Sequence, residues 1–96
     1  MAKLYIAEFE RPRNQWVNIA NAPPIVEQVV DYSGGVASSS AFNAKTAMIR
    51  VHTDAICSIL IGTTPTAATT NARMAADNTE YFSVQPNQKI SAISNT

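Results

Sequence analysis

Ile49-Arg50-Val51-His52-Thr53-Asp54-Ala55-Ile56-Cys57-Ser58-Ile59-Leu60-Ile61-Gly62 is the stretch whose pattern decides the fold. With Met48 before it, the first part alternates: Ile49 and Val51 share one side of an extended chain, while Met48, Arg50 and His52 share the other. That is the pattern of a strand covered on one face. The run from Ala55 to Ile61 departs from it. Ala55, Cys57, Ile59 and Ile61 fall on one side, yet Ile56 and Leu60 opposite them are also apolar. This strand is therefore expected to be covered on both faces, as a central strand or against another subunit. Branched side chains dominate both runs, and Thr53-Asp54 offers a turn between them.

Downstream, residues 62–71 form a polar, small-residue loop whose freedom is limited only at Pro65. It is expected to project from the fold, with Pro65 and its threonine neighbours at an exposed tip. Arg73-Met74-Ala75-Ala76 leads through the turn pair Asp77-Asn78 into a strand from Glu80 to Val84. Gln85-Pro86-Asn87-Gln88 then turns the chain into a last strand from Lys89 to Ser94. Upstream, Lys3 to Phe9 reads as a strand broken by Arg11-Pro12-Arg13-Asn14, because proline cannot donate to a ladder. Gln15 to Ile19 is a second candidate, closed by Ala22-Pro23-Pro24, and Ile25 to Asp31 is a third. The Ser33 to Ser40 stretch, with its Gly34-Gly35 pair, has little to bury and suits a loop or strand crossing. Phe42 is placed to plug one end.

About seven short strands with turns at this frequency define an all-β chain. The expectation is a single domain over residues 1–96: one antiparallel β-sandwich, with the jelly roll as one form of it. Ile49, Val51, Cys57, Ile59, Phe82, Val84 and Ile90 are expected inside.

Hydrophobic residues make up 46% of the 96-residue chain, but 15 of them are alanine, so the core is thin and favours completion by a partner. Seven basic residues balance seven acidic ones, which removes the electrostatic drive to grip nucleic acid or anionic lipid. The Arg11-Pro12-Arg13 spot reads as a solvated turn. No apolar run has the length of a signal peptide or a membrane span, and the single cysteine excludes an internal disulfide, which fits synthesis in a reducing cytoplasm.

Catalysis finds little support. His52 and Cys57 are the only histidine and the only cysteine, and their even and odd positions point to opposite faces of a continuous strand. His52, Asp54 and Cys57 lack paired-ligand metal spacing. The acid pairs Glu8 with Glu10 and Asp77 with Glu80 read as solvated strand ends, and Gly34-Gly35 lacks the lysine of a phosphate loop. No catalytic, cofactor-binding or metal residue is expected, and no enzyme. Sugar binding is the rival reading, with Trp16, Tyr5, Tyr32 and Tyr81 as stacking platforms.

The block 49–62, then Pro65-Thr66-Ala67, then Met74 to Val84 with its Glu80-Tyr81-Phe82, then Gln88-Lys89-Ile90-Ser91-Ala92-Ile93 resembles small structural proteins of tailed bacteriophages and prophages. In those chains an "R-V-x-T/S" strand leads to an apolar strand ending in Gly, a "P-T-A" loop, an "A-x-x-x-E-Y/F-F" strand and a closing "G/N-Q-K-I/V" hairpin. The match covers about half of the sequence. The resemblance implies a virion protein, a capsid decoration or cement protein on the exterior of the head. Its implied partners are the major capsid protein or other virion proteins and copies of itself, with a trimer favoured, and neither nucleic acid nor membrane. A tail, neck or fibre-base component is the alternative within that class. No active-site residue is implied.

Overall fold

The computed structural model describes residues 2–10 and 25–95; the candidate strand Gln15 to Ile19 and Trp16 lie outside the described residues. Eight strands are present among them: β1 (Lys3–Phe9), β2 (Val26–Asp31), β3 (Ala37–Ser38), β4 (Met48–Thr53), β5 (Cys57–Gly62), β6 (Ala72–Met74), β7 (Thr79–Ser83) and β8 (Lys89–Ser94). They form two four-stranded antiparallel sheets, ordered β2-β1-β4-β7 and β3-β8-β5-β6. The all-β sandwich read from the sequence is the fold observed.

Counted from β2, with β1 closing the series, these two orders are those of an eight-stranded jelly roll. The strand that ends such a chain is here supplied by its beginning. From β2 onward the chain crosses between sheets at nearly every connection. Only the β5 to β6 connection returns to the same sheet.

Alternation explains how the sheets face each other. In β1 the even residues Leu4 and Ile6 point inward, opposite Val30 of β2 and Val51 of β4. Cys57, Ile59 and Ile61 do the same from β5, against Met74 of β6 and Ile90 and Ala92 of β8. Leu4, Ile49, Val51, Cys57 and Ile90 are fully buried in one core, with Phe42 filling it at the end closed by the 85–88 turn. Phe82 differs from expectation. It lies opposite Ile49 on the edge strand β7, so it packs on the rim of the core and stays half-buried.

Two expectations are corrected. Glu8 is no solvated strand end, because its even position turns it inward beside Leu4 and Ile6, and it is fully buried. Its carboxylate accepts hydrogen bonds from Gln28 Nε2 (2.7 Å), the Asn43 backbone N–H (2.8 Å) and the Thr46 hydroxyl (2.7 Å). Three donors offset the desolvation of the charge and tie the 43–46 turn to β1.

The 62–71 loop is the second. Instead of projecting, it folds back over the outer face of the second sheet, and Pro65 and Ala67 are buried rather than exposed at a tip. The Ala67 N–H donates to Ser91 Oγ (2.9 Å), Ser38 Oγ to the Pro65 carbonyl (3.3 Å), and Asn95 Nδ2 to the Thr69 carbonyl (3.1 Å). Ser58 and Ser91 lie fully buried beneath it. The double cover expected for the 55–61 run thus comes partly from the chain itself. Ala55 and Ile56 precede β5, and Leu60 remains 37% exposed.

Replacing Glu8 by glutamine puts an amide donor among three donors and should destabilise the fold by about 1–3 kcal/mol in urea unfolding. Ser91→Ala should cost a similar amount, about 1–3 kcal/mol, because it orphans the buried Ala67 N–H. It should also speed proteolytic cleavage within residues 63–71, which a free projecting loop would not show.

Candidate functional site

The chemistry-bearing side chains gather at one pole of the sandwich, where the 54–56 and 75–78 connections cross between sheets. Thr53, the last residue of β4, is fully buried there. Its Oγ1 lies 2.6 Å from the Tyr32 hydroxyl and donates to the Ala55 carbonyl at 2.7 Å, while Tyr32 also reaches that carbonyl at 2.9 Å. The Cys57 thiol donates weakly to Thr53 Oγ1 at 3.6 Å. Burial pushes the Tyr32 phenol above its ordinary range, opposed by its hydrogen bond with Thr53. This cluster is closed to solvent: Tyr32 and Cys57 are both fully buried. Tyr32 is therefore no stacking platform, which removes one of the four proposed for a sugar.

The backbone of the same threonine holds the neighbouring crossing. Its N–H donates to the Asn78 carbonyl (3.2 Å), and its carbonyl accepts from the Asp77 N–H (2.9 Å). Asp77 adopts a left-handed φ of 59°, which aspartate tolerates better than most residues. On either side of Thr53, His52 and Asp54 point away from the core. His52 Nδ1 stands 2.8 Å from Thr79 Oγ1, and its ring tilts against Tyr5 at a centroid distance of 6.4 Å.

The turn at Thr53-Asp54 does not unite His52 with Cys57. The thiol faces the core from β5, while the imidazole faces outward from β4, so the pair cannot work as nucleophile and base. His52 and Asp54 instead meet Asp77: one ligand-type atom of each lies within 4.8 Å of the others. Sequence proximity brings together only His52 and Asp54 of that group. The turn pair Asp77-Asn78 was legible, but its return to β4 depends on the pairing of His52 with Thr79.

Two surface features accompany this pole. The outer face of the first sheet carries Tyr5, Val29 and Tyr81 at 40%, 57% and 57% exposure, with Arg50 opposite Tyr81 and His52 opposite Tyr5. An open groove of about 240 Å³ lies between Leu60, Ile61 and Ala72 and the ring of Phe82, with Asn71 its one polar side chain. Comparison with protein-family models, with curated proteins and with solved structures finds no match.

Linkage gives the Tyr32 cluster a pH signature. A phenol whose folded pKa is raised stabilises the fold fully below its unfolded value of about 10, and the contribution is lost as pH rises through the folded value. The difference in unfolding free energy between the wild type and Tyr32→Phe should therefore shrink as pH rises above about 10. Urea titrations at several alkaline pH values measure it, and a constant difference would place the Tyr32 hydroxyl in solvent.

Proposed function

We propose that this chain is a non-enzymatic virion protein of a tailed phage, a capsid decoration or cement protein whose work is done by surface contact. The observation that carries the reading is the outer face of the first sheet. Tyr5, Val29 and Tyr81 are large side chains that the core leaves outside, and Arg50 stands among them. Tyrosine and arginine are the residues enriched in protein interfaces, where rigid aromatic area is buried at small entropic cost.

The resemblance supplies the kind of partner. Its quoted residues supply most of β4, β5, β7 and β8, with Met74 of β6 and Pro65 to Ala67 of the docked loop, and β4 pairs with β7 and β5 with β8. Among the described residues the sheets end in the edge strands β2 and β7 and the edge strands β3 and β6, and a self-associating module can cover such edges. Sugar binding is the second reading, favoured by the exposure of Tyr5 and Tyr81 on one face.

Light scattering on the purified chain should give a homo-oligomer, with a trimer expected, and the protein should saturate assembled phage capsids at a fixed stoichiometry. Tyr81→Ala should weaken capsid binding by at least about tenfold while leaving the circular dichroism spectrum unchanged. A monomer that ignores capsids and binds a glycan array through Tyr5 and Tyr81 would replace this reading with the second.

A further inference from the structure

We propose that His52, Asp54 and Asp77 form a divalent metal-ion site of the zinc class. The inference is independent of the virion reading and starts from the donor set. One imidazole and two carboxylates supply a nitrogen and oxygens, a combination that zinc accepts at about 2.0–2.2 Å. One donor atom comes from β4 itself and the other two from the connections at its end, and all three lie within 4.8 Å of one another.

A tetrahedral zinc sphere places its ligand atoms roughly 3.4 Å apart. The carboxylates have to close inward by rotation, and the exposed side chain of Asp77 is free to do so. Their backbones need not move. Asp77 N–H is bonded to the Thr53 carbonyl, Asn78 accepts from the Thr53 N–H, and the Asp54 N–H donates to the Lys3 carbonyl at 3.1 Å. The hydroxyl of Thr79, 2.8 Å from Nδ1, sets the orientation of the imidazole, as outer partners of metal-binding histidines do. Among the described residues, no hydrogen bond or ion pair engages the Asp54 or Asp77 carboxylate. Two carboxylates and a ring nitrogen therefore converge on one small volume with no partner there to occupy the carboxylate oxygens.

The site is distinct from the thiol. Cys57 is fully buried on the core side, so a zinc ion held by the triad does not reach it. The assignment is to ion binding alone.

Titration calorimetry of the tag-free full chain with zinc chloride tests the proposal, accompanied by thermal unfolding and by NMR of the His52 ring protons. Saturable uptake of one zinc per chain, a raised Tm and a shift of the ring signals are expected. Asp77→Asn keeps the size of the side chain and tolerates the left-handed φ, and it should weaken zinc binding at least about tenfold, as should His52→Gln. Thr79→Val should weaken it by about tenfold through ring orientation alone, and Cys57→Ala should leave it unchanged. Absence of saturable heat overturns the proposal, as does zinc uptake that persists in Asp77→Asn and His52→Gln, or uptake of magnesium or calcium in place of zinc.

Discussion

Thr53 is where the architecture is decided. A β-sandwich whose chain changes sheets at nearly every turn has to bury polar backbone at those crossings, and unpaired buried groups cost more than hydrogen bonds return. Thr53 answers that constraint in two directions. Its hydroxyl joins Tyr32 after β2 to the Ala55 carbonyl before β5, and its backbone N–H and carbonyl are both taken by residues 77 and 78. One residue thus fastens three crossings. The outward placement of His52 and Asp54 follows, since they flank it on the strand.

The two outer faces of the sandwich are treated differently. Over the second sheet the 62–71 loop lies down, and its backbone groups find Ser91, Ser38 and Asn95 as partners. A stretch of small residues suits that position because it approaches a sheet closely without large side chains to accommodate. The first sheet is left with Tyr5, Tyr81 and Val29 exposed and Arg50 half-buried among them. Cover for the second sheet is intramolecular, whereas among the described residues no loop lies over the first in the same way.

Alternation made most of the fold legible. The facing of Ile49, Val51, Cys57 and Ile59, and the opposite facing of His52, follow from period two alone. The same rule carried a signal for Glu8 that its charge obscured, since position 8 shares parity with Leu4 and Ile6. Its three hydrogen-bond donors come from residues 20 to 38 positions away, and no local pattern announces them. The short strands β3 and β6 lack branched runs because they are held by their neighbours β8 and β5. Pro65 looked like a tip residue because proline and threonine punctuate loops, and only tertiary contact shows where a loop lands. Asp77 joined His52 and Asp54 for a similar reason: antiparallel register, not spacing, brings the 75–78 crossing beside β4.

Relocating the closing strand of a jelly roll to the start of the chain has a practical result. Lys3 is bonded through its carbonyl to Asp54, and Asn95 through its N–H to the carbonyl of Ile56. Entry and exit of the described chain therefore flank the same crossing. Chain leading into Lys3 and chain leaving Asn95 therefore share that single pole, so a probe inserted before the one or after the other would report on the same crossing.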